Sequence, residues 1–154
     1  MSVEFTMRRV SPGVYDRMMR GEPPSPYRYV AESGQGAKHG EITAVILANG
    51  DQVDPGPAVA IVGGRRIPGE PDEHGGPRAF SAAEVVTVAQ VLEVLSENEF
   101  QRRFERLDFT GALGAESDGR PAHDVDIYLD CLRHLRAFYG AAARAGNAMM
   151  RWFT

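Results

Sequence analysis

The fold of this chain is decided by residues 125–142, VDIYLDCLRHLRAFYGAA. Apolar residues recur here every three or four positions, a spacing that lines them up on one broad face of an α-helix. That face carries Val125, Tyr128, Leu129, Leu132, Leu135, Phe138, Tyr139 and Ala142. The pattern predicts a long helix over residues 122–145, closed by a left-handed cap at Gly146 and Asn147, around which the core is built.

Serine residues mark the start of three further helices. Ser81 is followed three positions later by Glu84, which is the spacing of a capping box, and a stripe of apolar residues comes next. Ser96 opens another helix as its N-cap, and Ser11 precedes Pro12 at a first helical position. The sequence therefore predicts helices that begin near residues 12, 82 and 97.

Strands are predicted at both ends of the chain. Residues 3–10 nearly alternate between apolar and polar side chains, and residues 148–153 follow the cap of the long helix. Residues 58–62 form a continuous apolar run that we interpret as a buried strand, whereas residues 41–47 fit either a short helix or a buried strand. We expect an α+β fold, a single domain over residues 1–154. A small, mostly antiparallel sheet is packed by four to five helices, and a terminal strand follows the long C-terminal helix.

The composition is that of an ordinary globular domain and narrows the function classes. The 154 residues carry a formal net charge of −4, which argues against binding to nucleic acid or to an anionic membrane surface. The start of the chain has no signal-peptide pattern, and the longest apolar runs are far shorter than the roughly 20 residues of a membrane-spanning helix. A single cysteine, Cys131, cannot form an internal disulfide. We therefore expect a cytoplasmic protein.

Several short segments occur in an order that is similar to one known family. They are Gly63-Gly64, GGPR at residues 75–78, FSAAEV at 80–85, LRAFYGAA at 135–142 and GNA at 146–148. From residue 59 to the end, the chain resembles the YfbM-like family of uncharacterised bacterial proteins. The resemblance implies an α+β fold and a bacterial source, but it implies no reaction, because the family is known as a domain of unknown function.

The middle of the chain departs from that family. The family carries a helix with lysine, tryptophan and histidine ahead of the Gly-Gly turn, whereas this chain has only GAKHG at residues 36–40 and no tryptophan there. If that helix carries an activity in the family, the divergent region 21–57 is expected to lack it.

The stretch VGGRRIPG at residues 62–69 is the strongest candidate for a binding site. Two glycines and two arginines after an apolar segment are able to hold a phosphate or carboxylate, through backbone N–H groups and guanidinium forks. The stretch is not a P-loop, because no Gly-Lys-Ser/Thr follows, and two glycines are also what an ordinary tight turn requires. The candidate anion-binding residues are Gly63, Gly64, Arg65, Arg66 and Arg78, the last of which precedes a helix N-terminus.

Histidine and acidic residues suggest no metal site. Asp72, Glu73 and His74 form an acidic loop segment that we interpret as solvated, and the residues from His123 to Asp126 are interpreted as a helix start stabilised by carboxylates. Cys131 has His134 three positions later as the one hint of a reactive pair, and we interpret it as a structural residue. We predict no catalytic residue, no metal and no cofactor.

Two functions are compatible with these observations. The first is a non-catalytic binding or interaction protein, for example the immunity partner of a toxin, because an acidic domain without catalytic motifs suits a basic protein partner. The alternative is a protein, either a simple binder or an enzyme, that binds a small molecule, nucleotide or other anion with the arginine-lined glycine-rich loop. The expected partners are a protein or a small anionic ligand, and neither nucleic acid nor membrane.

Overall fold

The computed structural model describes residues 4–22, 35–37, 39–70 and 76–153, and only the backbone of residues 35–37. The predicted α+β fold is confirmed. The strands are β1 (Phe5–Val10), β2 (Gln35–Ala37), β3 (Arg65–Arg66), β4 (Arg78–Phe80) and β5 (Ala148–Phe153). The helices are α1 (Pro12–Met19), α2 (Gly40–Leu47), α3 (Val59–Val62), α4 (Ala82–Val94), α5 (Glu97–Arg106) and α6 (Val125–Arg144), and a 3₁₀ turn (Gly56–Ala58) precedes α3.

The sheet joins the two ends of the chain at its centre. Its strand order is β2-β1-β5-β4-β3, and each neighbouring pair among the described strands is antiparallel. β1 and β5 pair along their whole length, from Phe5 opposite Phe153 to Val10 opposite Ala148. The first and last segments of the chain therefore form one continuous ladder.

The sheet buries both of its faces, because successive side chains of a strand point to opposite sides. On β5, Met149 and Phe153 pack into the main core with residues of α2, α4 and α6. Ala148, Met150 and Trp152 pack on the other side, in a smaller cluster with Met18 of α1. The predicted apolar face of α6 is buried from Tyr128 to Ala142, and Val125 is only half-buried.

The start of α4 and the end of α6 follow the predicted caps. Ser81 and Glu84 form the capping box, with the Ser81 hydroxyl accepting from the Glu84 amide at 3.2 Å and the Glu84 carboxylate accepting from the Ser81 amide at 3.0 Å. At the end of α6, the Gly146 amide donates to the Ala143 carbonyl and the Asn147 amide to the Ala142 carbonyl. This pair of bonds is a Schellman motif. α6 begins at Val125, three residues later than predicted.

The strand predicted over residues 58–62 is wrong, because this segment continues the 3₁₀ turn as α3. A short apolar run has no period from which helix and strand can be told apart. Two contacts hold the segment as a helix: the Gly63 amide donates to the Val59 carbonyl at 2.9 Å, and the Tyr139 hydroxyl donates to the Ala60 carbonyl at 2.6 Å. The ambiguous segment 41–47 is also a helix, α2, so the described residues contain six α-helices.

Arginines close the C-terminal ends of three helices. Arg103 donates to the Ile46 and Leu47 carbonyls at the end of α2, and Arg136 donates to the Leu92 and Leu95 carbonyls at the end of α4. Arg151 donates from Nε and Nη2 to the Gly63 carbonyl, just after α3, at 3.0 and 2.7 Å. The last carbonyls of a helix lack partners within it and carry partial negative charge, so a cationic donor suits them. Within the described ranges, no helix combines the length and apolarity needed to cross a bilayer.

Candidate functional site

The two glycines of the predicted anion loop lie at the exit from α3. A Cβ atom on Gly63 would lie 2.7 Å from the Val59 carbonyl oxygen, and a Cβ on Gly64 would lie 3.0 Å from the Cβ of Arg78. Gly64 also has a φ of +98°, in the region that favours glycine. Close packing of the chain between α3 and β4 therefore accounts for both glycines without a bound anion.

The three predicted arginines divide between the two faces of the sheet. Arg66 pairs in register with Arg78, and Arg78 pairs with Arg151 on β5, so these three lie on one face of neighbouring strands. Arg65 pairs with Ala79 and lies on the opposite face, where its Nε is 3.9 Å from a carboxylate oxygen of Glu84. The structure thus brings Arg66 and Arg78 together, separates Arg65 from them and adds Arg151.

Arg151 is a buried cation that the sequence interpretation missed. Its side chain is only 4% exposed, and its guanidinium lies 5.9 Å from the centroid of the Phe153 ring. The pKa of Arg151 is lowered to about 10, chiefly by burial; Tyr139 opposes the shift, and the charge of Arg78 contributes to it. A signal was available in the sequence, because Arg151 lies two residues from both Met149 and Phe153 and therefore shares their face of the strand.

An open groove lies on another part of the molecule. It has a volume of about 680 Å³ and runs between α2, the segment from residue 50 to the end of α3, and the loop 108–112. Its walls are mostly apolar and include Ala44, Val45, Ala48, Pro55, Ala58, Phe109 and Ala112. Val53 and Val62 also line it, and their exposed fractions are 93% and 51%. The groove could not be predicted from the sequence, because three segments that are distant in the chain form it. The available signal was Val53, an apolar residue within a polar turn.

Two aspartates line the same groove and are held by local hydrogen bonds. Asp51 Oδ1 accepts from the Val53 and Asp54 amides at 2.8 and 3.0 Å. Asp108 Oδ1 accepts from the amide and the hydroxyl of Thr110 at 2.9 and 2.7 Å. The backbone hydrogen bond from Asp54 lowers the pKa of Asp51, and the Thr110 hydroxyl lowers the pKa of Asp108. Both carboxylates are therefore charged at neutral pH.

Histidines meet at the starts of α2 and α6. The rings of His39 and His123 lie edge-on with their centroids 4.6 Å apart, and the His39 ring is 5.8 Å from that of Tyr128. Asp124 is the N-cap residue of α6 but makes no capping hydrogen bond with its side chain, and Asp126 lies in the first turn. In the part of the chain that the structure describes, no group of three or more potential ligands is placed to hold a metal. The predicted acidic loop Asp72–His74 lies outside the described residues.

Cys131 lies in the core, in agreement with its predicted structural role. Its side chain is buried on α6, and burial raises the pKa of the thiol, while a hydrogen bond with Thr43 opposes the shift. A buried thiol with a raised pKa forms little thiolate, which is the reactive form. The residue is therefore not placed to act as a nucleophile.

Comparison with known proteins places the chain in a family. The model of a domain of unknown function, DUF1877, matches residues 44–152, which is more than two thirds of the chain. The chain belongs to the DUF1877 family. The matched range begins earlier than the resemblance seen from residue 59, and it includes both the groove and the arginines of β3, β4 and β5. No curated protein matches the chain significantly.

The fold of this DUF1877 protein is similar to that of a protein whose structure has been solved. That structure is the crystal structure of YfbM from Escherichia coli, described as a protein of unknown function, with 12% identity and a TM-score of 0.65 over 100% of both chains. The YfbM-like resemblance predicted from the sequence is therefore confirmed. At this level of identity the likeness shows the fold alone.

Proposed function

We propose that this DUF1877 protein is a non-catalytic binding protein that docks a segment of a protein partner in its apolar groove. The observation that carries this proposal is the groove itself, an open, mostly apolar surface in which Val53 is 93% exposed. Leaving large apolar side chains in water has a cost, and apolar patches on protein surfaces commonly mark interaction sites. An open groove suits an extended or helical segment of another protein.

The chemistry of the groove favours binding over catalysis. A general acid or base works best when its pKa lies near the operating pH. Local hydrogen bonds instead lower the pKa values of Asp51 and Asp108, so these two groups hold a fixed charge. The buried Cys131 supplies no reactive thiolate. Inhibition of a basic toxin is one concrete form of such a function, by analogy with other small acidic domains.

Replacing Val53 with serine is expected to weaken partner binding roughly tenfold, because a buried valine side chain contributes about 1.5 kcal/mol or more. Val94→Ser is the matched control, since Val94 is 85% exposed at the end of α4 and does not line the groove. Tagged wild-type and variant proteins would be purified from cells of the source organism and compared by native mass spectrometry. Retention of the partner by Val53→Ser, or equal loss in both variants, would contradict the proposal. An added mass of only a few hundred daltons would favour a small ligand instead.

A second candidate function, anion binding, is favoured by the arginines of the sheet. A row on one face of the sheet is formed by Arg66 of β3, Arg78 of β4 and Arg151 of β5, each opposite the next on the neighbouring strand. The charge of Arg78 acts unfavourably on the buried Arg151. An anion bound between two guanidinium groups relieves such repulsion and accepts their hydrogen bonds. We propose phosphate or carboxylate binding at this row as the alternative to protein docking.

The test of anion binding is calorimetric titration with inorganic phosphate and with a nucleotide. We expect Arg78→Gln to abolish measurable binding, because glutamine keeps the packing of the side chain's first carbons but removes the charge. Arg65→Gln is the control, since Arg65 lies on the other face of the sheet and faces Glu84. Absence of binding to the wild type, or unchanged binding by Arg78→Gln, would exclude this alternative.

A further inference from the structure

The groove combines apolar walls with a one-signed charge. Asp51 and Asp108 line it from two different segments, one after α2 and one after α5. Among the described residues that line the groove there is no lysine, arginine or histidine. The surface therefore presents two fixed negative charges beside an apolar floor.

These two charges are held in place by turns of the backbone. In each case Oδ1 accepts a hydrogen bond from the amide of the residue two positions later. The Val53 amide donates to Asp51, and the Thr110 amide donates to Asp108. This arrangement is an Asx turn, in which the side chain is ordered by its own backbone. Carboxylates that are already ordered lose less conformational freedom when a cation of a partner approaches.

We propose that the segment docked in this groove is a basic, apolar stretch of a protein partner, with a lysine or arginine beside an aliphatic or aromatic side chain. The inference rests on the proposed docking function and adds the chemistry of the partner. Charge complementarity is its basis, because the aspartates line the groove and the whole chain has a formal net charge of −4. A second copy of this chain would bring the same negative charge to the contact, so the occupant is a different protein.

The decisive variant replaces both groove aspartates with asparagine. In Asp51→Asn with Asp108→Asn, the side-chain oxygen is still able to accept the amide hydrogen bonds of both turns, so the loops keep their shape while two charges are removed. Asp118→Asn is a matched control, because Asp118 Oδ1 accepts from the Arg120 amide in the same kind of turn and Asp118 does not line the groove.

The probe is a displayed library of short random peptides, from which binders to the purified wild-type protein are selected. Each selected peptide is then compared with an analogue in which glutamine replaces every lysine and arginine, using fluorescence anisotropy at low and at high salt. We expect selected peptides to place a basic residue beside an apolar one. We expect the paired asparagine variant to bind them roughly three- to tenfold more weakly at low salt, with a smaller difference at high salt. The glutamine analogues should bind the wild type more weakly than the parent peptides and should respond little to the paired asparagine substitution. Asp118→Asn should bind the selected peptides as the wild type does.

The outcomes separate this inference from the docking function on which it rests. Selection of neutral or acidic peptides, or unchanged binding by the paired asparagine variant, would overturn the inference about charge while docking in the groove stands. If Val53→Ser leaves the binding of every selected peptide unchanged, the groove is not the docking site and the proposed function fails. Formation of a stable dimer that Val53→Ser abolishes would overturn the choice of partner, because the occupant would then be a second copy.

Discussion

Replacing Leu132 with alanine is expected to lower the free energy of unfolding by about 3 kcal/mol, within the range of 2–5 kcal/mol for such changes in a packed core. Leu132 is fully buried at the middle of α6 and belongs to the main core cluster, which draws on the sheet and on α2, α4 and α5. Alanine would leave a cavity that these elements cannot close without moving. Urea denaturation followed by circular dichroism measures the change as a shift of the midpoint at constant slope.

The control for this prediction lies on the opposite side of the same helix. Asp130 is exposed and its carboxylate is 3.4 Å from Arg133, an ion pair between exposed groups. Asp130→Ala should change the free energy of unfolding by less than about 1 kcal/mol. Alanine is the better helix former at both positions, so helix propensity cannot explain a loss in either variant, and similar losses would contradict the role assigned to packing of the α6 face.

Replacing Arg151 with methionine is expected to lower the free energy of unfolding by about 2–3 kcal/mol, within the range of about 1.5–3 kcal/mol for hydrogen bonds to charged groups. Methionine fills much of the same volume but cannot donate to the Gly63 carbonyl, which accepts two hydrogen bonds from Arg151. The carbonyl at the end of α3 would then lack its partner. The same denaturation experiment measures the loss, and hydrogen exchange of the α3 amides should show that this segment opens more readily.

A second arginine serves as the control for Arg151. Arg133 is exposed on α6 and pairs with Glu97 at 2.7 Å. Arg133→Met should cost less than about 1 kcal/mol, because the contribution of exposed ion pairs is small. If Arg151→Met instead raises the stability, burial of the charge costs more than its hydrogen bonds contribute, as is known for some buried ion pairs. The capping role of Arg151 would then be wrong as an account of stability.

The features predicted correctly from the sequence depend on neighbouring residues. Ser81 with Glu84, and Gly146 with Asn147, satisfy the backbone groups within a few positions of themselves, so the ends of α4 and α6 are readable without the fold. The buried face of α6 is readable because its apolar residues repeat with the period of the helix. The two terminal strands were likewise predicted from alternation and position.

The features that were missed depend on residues far apart in the chain. The segment 58–62 is too short and too uniformly apolar to show a period. It is helical because Tyr139 satisfies a carbonyl within it and Arg151 satisfies the carbonyl just after its end. The predicted arginine set was divided because strand pairing places Arg65 and Arg66 on opposite faces. The groove exists only once α2, α3 and the loop 108–112 are brought together.

The sequence by itself determined the helix caps, the α6 stripe, the α+β class and the resemblance to the family, because each of these is written in local spacing or in the order of short segments. Only the tertiary structure decided which arginines share a face, which helix ends receive an arginine, and where an apolar surface stays open between two aspartates. These properties follow from the pairing and packing of distant segments, and residue spacing along the chain carries no direct record of that pairing.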